Sequence, residues 1–71
     1  MDKTFIEILK NNAYEGVEIT PESNLFDDLG ISSLGMFTVI CEIESKFGKK
    51  INVMELVEVK TVKQLYDKIN I

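Results

Sequence analysis

The chain has 71 residues and a net charge of −4 at pH 7, so we expect residues 1–71 to form a single small domain. It contains one cysteine, Cys41, and no histidine, which excludes an internal disulfide, imidazole metal ligands and a histidine-activated nucleophile. It lacks an apolar run of about 18 residues and a basic leader followed by an apolar segment. We therefore expect no membrane span, no signal peptide and a cytoplasmic location.

The charges are distributed unevenly along the chain. Residues 11–45 contain no lysine or arginine but hold seven of the twelve acids: Glu15, Glu18, Glu22, Asp27, Asp28, Glu42 and Glu44. The other five acids and all eight lysines lie outside this stretch. The pattern disfavours nucleic-acid binding. It indicates either a surface that meets a basic partner or an acidic surface that keeps a small protein in solution.

The first predicted helix is followed by a long connection. Helical spacing of apolar residues predicts a helix from Asp2, a suitable N-cap, to about Ala13. From Tyr14 to Ser32 the spacing fits neither a long helix nor a long strand, and glycine, proline and asparagine interrupt it. We predict an ordered loop that is held by the burial of its apolar side chains, Val17, Ile19, Leu25, Phe26 and Leu29.

The second predicted helix, from Ser33 to Phe47, has more apolar surface than one core face requires. Ser32 is a suitable N-cap and Gly48 a suitable C-terminal stop. Five residues form the expected core face: Met36, Val39, Ile40, Ile43 and Phe47. A second apolar strip lies beside it: Leu34, Phe37 and Cys41. This strip either packs against the third helix or the loop, or remains exposed for a partner. Both interpretations can also hold together, with Phe37 partly buried and Leu34 exposed.

Ser33 stands at the predicted start of this helix. Serines at this position usually act as caps, and Ser32 and Ser33 can share that role. The first turn of a helix also has free N–H groups and the positive end of the helix dipole, which stabilise a phosphate group. The residues alone leave both interpretations open.

Two shorter helices complete the predicted architecture, near Val53–Glu58 and from Thr61 or Val62 to about Asn70. Each begins with residues in the spacing of a capping box, Asn52 with Glu55 and Thr61 with Gln64. The expected fold is therefore all-α, a four-helix bundle with a long loop between helices 1 and 2 and a short third helix.

Residues 28–34, Asp-Leu-Gly-Ile-Ser-Ser-Leu, resemble the attachment motif D-L-G-x-D-S-L of acyl and peptidyl carrier proteins. Residues 19–22, 25–28, 42–48 and 61–69 are also similar to that family, so the resemblance covers nearly the whole chain. It implies a four-helix bundle with a short third helix. It also implies that a phosphopantetheinyl transferase attaches 4′-phosphopantetheine from coenzyme A to Ser33.

The resemblance further implies a carrier and not an enzyme. A monomeric carrier of this family holds acyl, aminoacyl or peptidyl groups as thioesters. It presents them to acyltransferases, synthases or adenylation-type enzymes that have basic docking surfaces. These partners would approach the second helix, where the expected contact residues are Leu34, Phe37, Thr38, Cys41, Glu42 and Glu44. No metal site is expected.

Two departures from the family pattern leave the pathway open. Ser32 replaces the usual aspartate, and Thr38 stands where carriers of fatty-acid synthesis often have an acid. Fatty-acid, polyketide and nonribosomal peptide synthesis all remain possible pathways. The alternative function is an unmodified interaction module with the carrier fold. An enzyme that uses Cys41 or Ser33 as nucleophile is disfavoured because the chain has no histidine base. Calcium binding by Asp27 and Asp28 alone would lack a sufficient ligand set.

Overall fold

The computed structural model describes residues 1–71 and contains three α-helices and one short 3-10 helix. In chain order these are α1 (Lys3–Asn12), α2 (Ser33–Phe47), the 3-10 helix (Val53–Leu56) and α3 (Val62–Ile69). The predicted all-α class is confirmed. The predicted four-helix bundle is not, because the third element is one turn of 3-10 helix and lacks a buried residue. None of these helices has the length and hydrophobicity needed to cross a membrane.

The ends of the three α-helices follow from local side chains. The Asp2 carboxylate accepts hydrogen bonds from two first-turn N–H groups of α1, at 2.8 and 3.1 Å. The Ser32 hydroxyl accepts one from the first turn of α2 at 3.0 Å, and this helix ends at Gly48. Thr61 and Gln64 form the predicted capping box at the start of α3. The predicted bounds of α2 coincide with the observed ones because both signals are local.

The predicted capping box of Asn52 and Glu55 is wrong. The Asn52 side chain accepts a hydrogen bond from the N–H of Met54 at 3.0 Å. The N–H of Glu55, which a capping box would use, instead donates to the Asn52 carbonyl oxygen at 3.0 Å. The i to i+3 hydrogen bonding of a 3-10 turn explains this difference, since it satisfies that N–H through the backbone.

Twelve buried side chains from all three α-helices, the long loop and the segment before α3 form one core cluster: Phe5, Ile8, Leu9, Leu25, Leu29, Ile31, Val39, Ile43, Val59, Val62, Leu65 and Ile69. From the predicted core face of α2, Val39 and Ile43 lie inside this cluster, and Met36 and Phe47 pack against it. Ile40 is also buried but lies outside the cluster. Ile40 instead lines a cavity between α2 and the segment that contains the 3-10 helix.

The long connection between α1 and α2 is held to the rest of the molecule by side chains and by backbone. Leu25 and Leu29 are fully buried, as the sequence predicts, and Val17 and Ile19 pack against the core. The N–H of Leu25 donates to the carbonyl oxygen of Lys60 at 2.8 Å, which ties the loop to the start of α3. Phe26 is 40% exposed, so the prediction that it anchors the loop by burial is wrong.

The turn around Phe26 explains its exposure. The Asn24 carboxamide oxygen accepts hydrogen bonds from the N–H groups of Phe26 and Asp27, at 2.9 and 2.8 Å. In return the Asp28 carboxylate accepts one from the N–H of Asn24 at 2.7 Å. This compact turn buries Leu25 and Leu29 on one side, which leaves Phe26 on the other.

Candidate functional site

Two adjacent serines at the start of α2 have different roles. Ser32 is the N-cap, and its hydroxyl accepts a hydrogen bond from the N–H of Gly35 at 3.0 Å. Ser33 is the first residue of α2, is exposed, and its hydroxyl makes no hydrogen bond within the protein. The cap is therefore supplied by Ser32 alone, and the hydroxyl of Ser33 is free to react.

The backbone around Ser33 suits a negatively charged group. The N–H of Gly35 is used by the cap, and the N–H of Met36 donates to the carbonyl oxygen of Ser32 at 2.8 Å. The N–H groups of Ser33 and Leu34 have no acceptor within the protein. A phosphate ester on Ser33 would lie near these free donors and the positive end of the α2 dipole. The residues present thus fit a phosphodiester linkage at this serine.

The segment that leads into α2 fixes the position of Ser33. Gly30 has a φ of 72°, a left-handed conformation that glycine adopts without steric cost. Ile31 follows with its side chain buried in the core, and its N–H donates to the carbonyl oxygen of Leu25 at 3.0 Å. Ser33 therefore stands two residues after a buried anchor, at a defined point of the surface.

An apolar cavity of about 320 Å³ that is open to solvent adjoins Ser33, between α2 and the segment that contains the 3-10 helix. Eight of its nine lining residues are hydrophobic: Phe26, Met36, Phe37, Ile40, Val53, Leu56, Val57 and Val59. The remaining residue is Ser33. Ile40 is buried here and not in the core cluster. A larger groove of about 520 Å³, lined by Glu55, Glu58 and Lys68 among others, does not include Ser33.

Sequence reasoning missed this cavity. Its far side is formed by residues after α2, most of which lie in the segment predicted as a third helix. One signal in the sequence could have indicated it. The short third helix has more apolar residues than it can bury, Val53 and Val57 in particular. In the structure Val53 is 42% exposed and Val57 is 71% exposed.

The second apolar strip of α2 is exposed. Leu34 is 79% exposed and Phe37 is 57% exposed, and Cys41 is an exposed free cysteine. Packing of this strip inside the bundle, one of the two interpretations left open above, is thus wrong for Leu34. Thr38 is also exposed, and its hydroxyl lies 3.4 Å from the carbonyl oxygen of Leu34. Their spacing of three and four residues puts these side chains on one helix face.

The two acids of α2 have partners within the protein. A carboxylate oxygen of Glu42 accepts a hydrogen bond from the Asn12 side chain at 3.2 Å. The Glu44 carboxylate accepts one from the N–H of Ile51 at 2.8 Å, and both glutamates are half-buried. These contacts tie α2 to α1 and to the segment that follows α2. Of the six predicted contact residues, the other four are exposed without such long-range contacts.

Nowhere do three or more histidine, cysteine, aspartate or glutamate side chains come together as potential metal ligands. The Asp28 carboxylate is engaged in the turn with Asn24. The start of α2 instead combines a free, exposed serine hydroxyl with an adjacent apolar cavity.

Comparison with known proteins gives a consistent result. The family model described as "Phosphopantetheine attachment site" matches residues 3–69. An acyl carrier protein of Myxococcus xanthus is 42% identical over 50 residues, which make up 70% of this chain and 63% of that protein. One of Syntrophobacter fumaroxidans is 32% identical over 68 residues, or 94% of this chain and 84% of that protein.

A more specialised relative also matches. The meromycolate extension acyl carrier protein of Mycobacterium leprae is 44% identical over 48 residues, which are 68% of this chain and 42% of that protein. The matched segment thus spans less than two thirds of the Myxococcus and Mycobacterium relatives. No solved structure matches the chain. Since the family model covers nearly all of its length, the chain belongs to the acyl-carrier family, whose members hold 4′-phosphopantetheine covalently as their prosthetic group.

Proposed function

We propose that the protein carries its 4′-phosphopantetheine on Ser33 and delivers acyl thioesters to biosynthetic enzymes. The observation that carries this proposal is the free, exposed hydroxyl of Ser33 at the capped start of α2 and at the edge of an apolar cavity. The matching family model is described as a phosphopantetheine attachment site. When attached, the prosthetic group supplies a terminal thiol on which an acyl chain is held as a thioester.

Each neighbour of Ser33 has a defined role in this proposal. Ser32 caps α2 and so keeps the first-turn N–H groups aligned. The N–H groups of Ser33 and Leu34 and the helix dipole stabilise the phosphodiester charge. The departure from the family's usual aspartate at position 32 leaves the cap intact, since serine and aspartate cap helices about equally well.

The lining of the cavity favours alkyl chains over charged cargo. All of its residues except Ser33 are hydrophobic. Each methylene group buried there would contribute about 0.8 kcal/mol, whereas an aminoacyl group would lose hydration of its ammonium without gaining a partner. A volume of about 320 Å³ has room for a short or medium alkyl chain, given that a water molecule occupies about 30 Å³. We therefore propose acyl cargo, as in fatty-acid or polyketide synthesis, in preference to aminoacyl or peptidyl cargo.

The exposed face of α2 is the proposed docking surface for partner enzymes. Leu34, Phe37, Thr38 and Cys41 supply its apolar and neutral part. The absence of lysine and arginine from residues 11–45 makes a basic partner surface complementary to it. The proposed partners are a phosphopantetheinyl transferase and acyltransferases or synthases with such surfaces. In this proposal the protein acts as a carrier and performs no catalysis itself.

The decisive experiment is enzymatic labelling. The wild-type protein, Ser33→Ala and Ser32→Ala are incubated with coenzyme A and a broad-specificity transferase, and intact mass is measured. We expect one phosphopantetheinyl group on the wild type and on Ser32→Ala, and none on Ser33→Ala. Labelling that persists in Ser33→Ala would disprove the assignment of the site. A wild-type protein that stays unlabelled would support the alternative of an unmodified interaction module.

The proposed cargo has its own test. Thermal melting is compared for the phosphopantetheinylated protein with a free thiol and for the same protein loaded with octanoyl or with glycyl groups. We expect the octanoyl form to melt at the highest temperature, because only the alkyl chain buries apolar surface in the cavity. An octanoyl form that melts at the same temperature as the free thiol form would exclude burial of the chain. Ile40→Asn should remove the difference by introducing a polar group into the lining.

A further inference from the structure

Tyr14 makes an unusual contact with the segment before Ser33. It is the second residue after α1, and its ring lies on the α-carbon of Gly30. A Cβ atom at Gly30 would come within 2.6 Å of three carbons of the ring. The N–H of Tyr14 donates to the carbonyl oxygen of Leu29 at 2.8 Å. Tyr14 thus holds the peptide unit between Leu29 and Gly30 through its backbone and covers it with its side chain.

Gly30 is the point at which this contact can affect Ser33. It joins the compact turn of residues 24–29 to Ile31 and the extended Ser32, and it lies three residues before Ser33. Glycine has the widest range of backbone conformations, so neighbouring groups must restrict the conformation of Gly30. The N–H of Gly30 donates to the carbonyl oxygen of Phe26 at 3.0 Å, and the Tyr14 ring covers the face of the α-carbon.

The contact contributes little to the core. Tyr14 is 64% exposed, its hydroxyl makes no hydrogen bond within the protein, and it is not among the side chains packed against the core cluster. Removal of the ring would therefore take away only a small buried area. Its effect should be concentrated on the conformation of Gly30 and of the residues that follow.

We propose that Tyr14 is a positioning residue for the modification of Ser33, an inference that rests on the proposed attachment at that serine. In the reaction the Ser33 oxygen bonds to the phosphorus that carries the pantetheine of coenzyme A. The P–O bond of the diphosphate breaks, adenosine 3′,5′-bisphosphate leaves, and the hydroxyl proton passes to a base of the transferase or to water. By restricting the backbone conformation of Gly30, Tyr14 holds the Ser33 hydroxyl in one orientation.

The test compares Tyr14→Ala, which removes the ring, with Tyr14→Phe, which keeps it and removes only the hydroxyl. Rates of labelling by a transferase are measured where every variant is fully folded. We expect kcat/KM for Tyr14→Ala to fall by about tenfold to a hundredfold, the range that misplacement by about 1 Å can produce. Tyr14→Phe should react at the wild-type rate. Tyr66→Ala is the control, because Tyr66 contacts Phe5 and Asp2 instead of the attachment segment.

A second measurement separates positioning from direct contact with the transferase. Amide hydrogen exchange is followed in each isolated variant at Gly30 and Ile31, whose N–H groups donate to backbone carbonyls. Positioning predicts faster exchange at both amides in Tyr14→Ala, and wild-type exchange at both in Tyr14→Phe and Tyr66→Ala.

The other outcomes overturn the inference. A normal labelling rate in Tyr14→Ala would show that the ring has no role in the reaction. Slow labelling with unchanged exchange would assign Tyr14 to direct transferase contact, and equal losses in Tyr14→Ala and Tyr14→Phe would assign the effect to the hydroxyl. Failure of the proposed function is recognised separately, because the wild-type protein itself would then remain unlabelled at Ser33.

Discussion

Two substitutions on α2 test the separation of its core face from its docking face. Ile43→Ala and Leu34→Ala both truncate an aliphatic side chain to a methyl group, but Ile43 is fully buried and Leu34 is 79% exposed. Truncation of a buried isoleucine costs about 2–5 kcal/mol of unfolding free energy. Full burial of a leucine is worth about 1.5–3 kcal/mol, so the one-fifth of Leu34 that is buried accounts for about 0.3–0.6 kcal/mol.

These free energies translate into distinct melting temperatures. In a domain of this size a change of 1 kcal/mol shifts the melting temperature by about 4–8 °C. Leu34→Ala should therefore melt about 1–5 °C below the wild type, whereas Ile43→Ala should lose about 8 °C or more. Since the total stability of such a domain is about 4–11 kcal/mol, Ile43→Ala loses a substantial part of it.

The functional assay is acyl transfer from the carrier to a partner synthase, with the rate expressed per folded molecule. Leu34→Ala should slow transfer through faster dissociation of the complex, because an exposed apolar contact mainly sets residence time. The folded fraction of Ile43→Ala should transfer at the wild-type rate. A loss of about 2 kcal/mol or more in Leu34→Ala, or normal transfer by that variant, would refute the assignment of this face to docking.

Two further pairs of substitutions test the contacts of Glu44 and of Gly30. Glu44→Ala leaves the N–H of Ile51 without its side-chain acceptor and should cost about 1–3 kcal/mol in chemical denaturation. Glu44→Gln keeps an acceptor oxygen, and a loss equal to that of Glu44→Ala would contradict this explanation. Gly30→Ala and Gly16→Ala, at φ of 72° and 76°, share a backbone cost of about 1–2 kcal/mol. Only Gly30 adjoins the Tyr14 ring, so Gly30→Ala should lower the free energy of unfolding more than Gly16→Ala does. Equal losses of unfolding free energy in the two variants would show that the ring moves aside without cost.

Features with local causes could be predicted from the sequence. The bounds of α2 depend on Ser32 and Gly48, and the start of α3 depends on the pair Thr61 and Gln64. All of these signals act within one turn of the helix that they delimit. The attachment motif is likewise continuous in sequence, so Ser33 could be singled out before its surroundings were known.

Features that depend on contacts distant in sequence could not be predicted. The helical spacing of Ile40 fits a core residue, but its burial is in the cavity, which forms only when residues after α2 fold back beside it. Phe26 fits an anchor of the loop by composition, yet the Asn24 turn directs it outward. A single sequence also cannot reveal that Asn12 lies beside Glu42, 30 positions away, so the hydrogen bond between these side chains was not predicted.

The internal contacts of the α2 acids change the expected origin of electrostatic steering. Glu42 and Glu44 are half-buried, and their carboxylates already accept hydrogen bonds. Asp27 is exposed, and no donor within the protein contacts its carboxylate. It directly follows Phe26, which lines the same cavity as Ser33. The field that a basic partner meets near the attachment site should therefore depend more on Asp27 than on either acid of α2.

Association kinetics can test this expectation. Asp27→Asn and Glu42→Gln each remove one negative charge and retain the shape of the side chain. At low salt Asp27→Asn should slow association with a basic synthase more than Glu42→Gln does. Both variants should approach the wild-type rate near 1 M salt, where the screening length is about 3 Å. Glu42→Gln should instead show its main effect in melting, because the hydrogen bond from Asn12 is weakened. An equal or larger loss of association rate in Glu42→Gln, without a change in melting temperature, would contradict this expectation. It would show that the acids of α2 steer the partner.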